Sequence, residues 1–150
     1  MSTRCQLVVE ENEEAKVYKH CDGYPSGVLP TLKKLLPAFE DGRGWDPAYL
    51  TAHLSATLIQ DDVTDRKAFN RKMKKSYPND PAYANRKFKQ DFLSHGIDTQ
   101  WHGDIEFAYR ITKDFGVEVY STPWGMKDLS QAKLVRRWTL DELVKARKFE

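Results

Sequence analysis

The chain is poor in the residues that mark specialised scaffolds. Its 150 residues include two cysteines, Cys5 and Cys21, which permit one bridge but cannot supply a disulfide framework. Eight glycines and seven prolines are too few for a collagen-like or low-complexity chain. No uninterrupted apolar run approaches the roughly 18 residues of a transmembrane helix. The first five residues lead straight into a strand pattern without the apolar stretch of a signal peptide. Neither a glycine-rich dinucleotide turn nor a Walker loop occurs, which speaks against nucleotides held by those motifs. An overall excess of charge is also missing: 24 Lys and Arg face 22 Asp and Glu, for a net +2. What is present is a 40% apolar composition, too apolar for a disordered chain. Residues 1–150 are therefore expected to form one compact cytoplasmic α+β domain, burying roughly two thirds of its unfolded surface.

The order of patterns gives the expected architecture. Cys5, Leu7 and Val9 alternate with Arg4, Gln6 and Glu10, and residues 15–20 can return as a partner strand. The sequence Asp22-Gly23-Tyr24-Pro25 interrupts that strand with a turn. Leu29, Leu32, Leu35, Leu36 and Phe39 can line a helix, expected to be short (29–36) because Pro37 removes an interior bond, with a kinked continuation toward Asp41 as the alternative. Asp46-Pro47 is a start signal for a helix carrying Leu50, Leu54 and Leu58. Thr64 or Asp65 then caps another helix with Ala68, Phe69 and Met73, ending before Tyr77-Pro78. Asp80-Pro81 repeats the start signal ahead of Ala84, Phe88 and Phe92, with His95-Gly96 closing that helix. Residues 105–111 and 117–121 form a second hairpin. Residues 130–138 fit either a strand or a helix, and Thr139 caps a terminal helix reaching about Lys148. The sum is one mainly antiparallel sheet of about four strands from two hairpins, covered by the intervening helices and the C-terminal one.

Two groups of residues suggest chemistry. If the hairpins are neighbours, strand parity gathers His20, Asp22, His102, Asp104 and Glu106, with Tyr18 and Tyr120 nearby. An imidazole beside a carboxylate can activate water, which makes hydrolysis the natural enzymatic alternative. The same side chains are metal-ligand types, but four ligands and an open position are not established, so no metal or cofactor is assigned. The bland alternative is that His20 and Asp22 satisfy a local turn. Cys5 and Cys21 read as buried thiols, and His53 and His95 as helix residues with structural partners.

The second group is basic. Between Arg66 and Lys89, nine Lys or Arg residues are opposed only by Asp80, a formal +8. Arg71, Lys74, Lys75, Arg86, Lys87 and Lys89 are candidate phosphate contacts, and Tyr77 and Tyr83 candidate aromatic contacts for nucleic acid. An acidic protein surface is the alternative partner, no membrane partner is expected, and a simple solvated face is the bland reading. A structural, oligomeric protein is a third possibility.

Thr3-Arg4, the His20-Cys21-Asp22-Gly23-Tyr24-Pro25 turn and the organisation of residues 101–120 resemble small uncharacterised prokaryotic or bacteriophage proteins. Cys21 departs from the small or polar residue usual there. The resemblance implies a strand followed by a tight turn and is compatible with an accessory role towards host machinery. It transfers no residue role. The leading expectation is a small binding or regulatory protein that engages nucleic acid through residues 66–89.

Overall fold

Strand β1 (Cys5–Val9) is buried along its whole length, so both faces of the sheet are covered there. On one side it pairs antiparallel with β2 (Lys16–Lys19), and on the other parallel with β4 (Phe107–Ile111). The computed structural model describes residues 2–149, in which six strands run in the order β3-β2-β1-β4-β5-β6. β3 is His95–Asp98, β5 is Val117–Ser121 and β6 is Lys133–Trp138. Helices α1 (Pro25–Gly42), α2 (Pro47–Ser76) and α3 (Pro81–Ala84) lie between β2 and β3, and α4 (Leu140–Lys145) follows β6. The α+β class with helices packed on a sheet is as expected.

The sheet itself differs from expectation. It has six strands and mixed direction in place of four from two hairpins. The two expected hairpins exist, but they meet through the parallel β1–β4 pairing, whose register no local pattern announces. His95 and Gly96 close no helix; they begin the edge strand β3, paired with β2. The ambiguous stretch after residue 130 supplies the opposite edge, β6.

The main core lies between the sheet and α1, α2 and α4. Leu7, Val9, Val17, Tyr109, Ile111 and Val117 face Val28, Leu32, Leu36, Leu54 and Leu143. A smaller cluster of Ile105, Ala108 and Met126 covers the other face beside Tyr18, Trp101 and Tyr120. The fully buried Gln6 points to that second side. Its Nε2 donates to the Gln100 carbonyl (3.0 Å), and its Oε1 accepts from the His102 amide (2.7 Å), so both amide ends are satisfied.

α1 runs well past the expected 29–36 and continues over both Pro30 and Pro37. Burial of Val28, Leu29, Leu32, Leu36 and Phe39 offsets the roughly 3 kcal/mol that an interior proline costs. α2 is one helix of 30 residues, not two. Nothing between Pro47 and Ser76 is Gly or Pro, so Thr64 and Asp65 do not break it. Asp46 caps its start by accepting from the Tyr49 amide (3.3 Å). α3, by contrast, stops at Ala84. Phe88 and Phe92 have no core to face, and a short helix without one is marginal. α4 is capped as expected, with the Thr139 hydroxyl accepting from the Glu142 amide (3.1 Å), but it ends at Lys145.

The Asp-Gly-Tyr-Pro turn is fixed against β1. Tyr109 Oη donates to the Gly23 carbonyl (2.7 Å), and a Cβ at Gly23 would lie 2.9 Å from that of Cys5. Only glycine fits there. Asp22 adopts a left-handed φ of 54°, and Pro25 opens α1.

Candidate functional site

The three leucines that hold α2 to the core stop at Leu58. From Ile59 to Asp104 no residue is buried. Asp61 and Asp62 still tie α2 to Thr31, Lys34 and Lys19, so the helix projects as an arm from Thr64 to Ser76, about 20 Å long at roughly 1.5 Å per residue. Residues 77–94 return along it to β3. Arg66 Nη2 donates to the Lys89 carbonyl (3.3 Å), while the cations of Arg66 and Lys67 lie 5.5 and 4.9 Å from the Phe88 ring. Phe88 thus serves as a cation–π surface and not as part of a buried helix stripe.

All nine basic residues of the arm are exposed. Among the described residues none of them makes an ion pair, although ten other basic residues do, two of them histidines. At about 3.6 residues per turn, Lys67, Arg71, Lys74 and Lys75 fall within an arc of about 100°. Lys72 lies further round the helix. Arg86, Lys87 and Lys89 sit on the return segment and, with Asp65, Arg66, Phe69 and Asn70, line a shallow groove of about 290 Å³ in which Asp65 is the one carboxylate among the described residues. At the tip the Tyr77 and Tyr83 rings are 5.6 Å apart and inclined by 32°.

The five residues proposed for hydrolytic chemistry divide between separate places. His20 and His102 do approach one another through Tyr18. Tyr18 Oη lies 2.9 Å from His20 Nδ1, and its ring stacks on His102 at 4.5 Å. The carboxylate that holds His102 is Asp98, at 2.8 Å from Nε2, whereas Asp104 pairs with Arg4. The hydrogen bond from His102 and the amides of Gln100 and Thr99 hold Asp98 below the usual carboxylate range. Burial, then the Asp104 charge, push the Tyr18 phenol up. Glu106 is exposed. Asp22 accepts from Tyr24 Oη (3.1 Å) and lines a different cleft.

That cleft, about 390 Å³, opens at the root of the arm, between Asp22 and Cys21 on one side and Asp62, Asp65, Arg66 and His95 on the other. Cys21 is half-buried along it and is not a core thiol. Beneath lies a charged network that the local sequence patterns did not bring out. Lys19 is only 2% exposed, and its Nζ donates to both oxygens of Asp62 at 2.9 and 3.0 Å. His95 Nε2 is 2.7 Å from Asp62 Oδ2, yet the contact is off axis and leaves the nitrogen without an aligned hydrogen bond. Burial raises the Asp62 carboxyl, but contacts from His95 and Lys19 more than offset this and hold it low. Burial also pushes the Cys5 thiol up to about 12, against the Lys19 charge, so it stays protonated at neutral pH. Parity was the signal that could have found the network: Lys19 shares the core-facing side of Val17, and a buried lysine demands a carboxylate.

Among the described residues no three His, Cys, Asp or Glu side chains are grouped to hold a metal ion, and no helix is long and apolar enough to cross a membrane. No family model matches the chain, and neither a curated protein nor a solved structure is significantly similar to it.

Proposed function

We propose that this protein binds nucleic acid through the arm formed by the outer half of α2 and the segment returning to β3. The observation that carries this reading is the set of nine exposed cations on one projecting element that make no ion pair among the described residues. Among the described residues, eight of the fifteen Lys and Arg residues elsewhere are ion-paired, whereas here all nine are left to solvent and counterions. A phosphate chain lying along Lys67, Arg71, Lys74 and Lys75 releases its own counterions, a gain that is largest at low salt. Arg86, Lys87 and Lys89 extend the same field along the return segment. The resemblance of the N-terminal turn to small phage and prokaryotic proteins is in keeping with an accessory binding role, and the proposal does not depend on it.

The test is fluorescence anisotropy of a labelled oligonucleotide at low salt. Replacing Lys74, Lys75, Arg86 and Lys87 by Gln is expected to weaken binding at least about tenfold, given the charge dependence of phosphate binding. Circular dichroism checks that the variant is folded. Unchanged affinity in a folded variant rejects the reading. An acidic peptide of matched charge, used as competitor, distinguishes attraction to any polyanion from preference for nucleic acid.

A further inference from the structure

The tip of the arm carries more than charge. Tyr77 caps α2, its amide donating to the Met73 carbonyl (2.8 Å), and its own carbonyl accepts from the Asp80 amide (3.2 Å). Asp80 in turn accepts from the Ala82 amide (2.9 Å), and its carbonyl accepts from the Tyr83 amide (3.0 Å). Pro78 and Pro81 restrict φ on both sides of Asp80. Two aromatic rings are thus set beside one another by a hydrogen-bonded turn, with no core behind them. Tyr77 is 52% exposed, and neither phenol makes a hydrogen bond among the described residues. Lys74 and Lys75 lie three and two residues before Tyr77, and the Arg86 amide donates to the Tyr83 carbonyl (3.2 Å). Cations therefore flank the ring pair along the chain on both sides.

We infer that the arm takes single-stranded in preference to duplex nucleic acid, with an unpaired base stacked on the Tyr77–Tyr83 pair while the neighbouring cations hold its phosphates. This rests on the nucleic-acid reading above and adds the class of strand. A duplex presents phosphates along its length but hides its base faces, so rings at the tip gain nothing from it. An unpaired strand offers a base face beside each phosphate, and one base stacked on an aromatic side chain gains enough to shift affinity about fivefold or more. Charge density alone favours the duplex. A preference for the single strand therefore reports stacking and not electrostatics.

The experiment compares three labelled probes of equal length by anisotropy at low salt: a mixed-sequence single strand, an abasic strand with the same phosphates, and a blunt duplex. The single strand is expected to bind at least about fivefold tighter than the abasic strand and tighter than the duplex. Tyr77→Ala with Tyr83→Ala removes that margin and leaves the abasic strand's affinity unchanged, whereas Tyr77→Phe with Tyr83→Phe retains it. Equal binding of all three probes, or an alanine pair that keeps the margin, overturns the inference while leaving the arm as a phosphate binder. Failure to bind any probe, the abasic strand included, rejects the nucleic-acid reading itself. Should the alanine pair disturb the tip, the wild-type comparison of single strand with abasic strand still decides.

Discussion

The two halves of α2 are continuous in backbone and opposite in what their side chains do. Leu50, Leu54 and Leu58 are sealed against the sheet, while Arg66 to Lys75 stand in solvent around the half-exposed Phe69. The inner half is held by burial, which does not require any particular charge. The outer half has no core to hold it, and lysines in its last turn favour its C-terminal dipole. Folding therefore makes no demand on most arm cations. Elsewhere charge is committed to the fold, as where the buried Glu118 accepts from Arg110 (2.9 Å) and Arg137 (2.6 Å). Burial pulls the Arg110 guanidinium down, but hydrogen bonds with Glu13 and Glu118 more than offset it, and it is held above its ordinary value.

This contrast breaks most visibly in the inner half. Leu54→Ala is expected to cost about 3 kcal/mol in urea unfolding, as a buried leucine does, whereas Phe69→Ala in the outer half changes stability by less than about 0.5 kcal/mol. A large loss from Phe69→Ala places a hidden core under the arm and contradicts the division. Next in size is Asp62→Asn, which leaves the buried Lys19 without its counter-charge. A loss of about 2 kcal/mol at pH 7 is expected, discounted from a fully buried pair because Asp62 is a quarter exposed. Because Asp62 is held low in the folded state, its contribution is complete above its unfolded value near about 4 and disappears as pH falls through the folded one. Stability measured against pH should then fall less steeply below about pH 4 in Asp62→Asn than in the parent. Glu118→Gln weakens two charge-assisted bonds at once and should cost about 1–2 kcal/mol by thermal unfolding. The smallest effect is expected from replacing Lys74, Lys75, Arg86 and Lys87 by Gln, which should leave stability within about 0.5 kcal/mol or raise it by relieving repulsion.

Much of the fold was legible in local patterns. Asp46-Pro47 and Thr139 begin helices as their capping chemistry requires, and residues 107–111 and 117–121 pair as a hairpin. What stayed hidden was long-range. The parallel β1–β4 register depends on a crossover that spans most of the chain, and β3 is a strand only because β2 offers it an edge. Phe88 and Phe92 mimicked a helical stripe at four-residue spacing, although neither reaches the core. The positive run was plain in the sequence, but its lack of ion pairs among the described residues was not, since pairing depends on which carboxylates the fold brings near. The polar residues illustrate the same limit. His20 and His102 share Tyr18 as parity suggests, while Asp98 and Asp62, rather than Asp104 and Asp22, supply the carboxylates beside the imidazoles of His102 and His95.

The most direct measurement is the slope of log affinity against log salt for a single-stranded oligonucleotide, taken for the parent chain and for the variant lacking the charges of Lys74, Lys75, Arg86 and Lys87. If these side chains neutralise phosphates, the slope should become shallower by about 3, at roughly 0.7 for each cation removed. Identical slopes in two folded proteins would mean that the arm's charge never meets the strand.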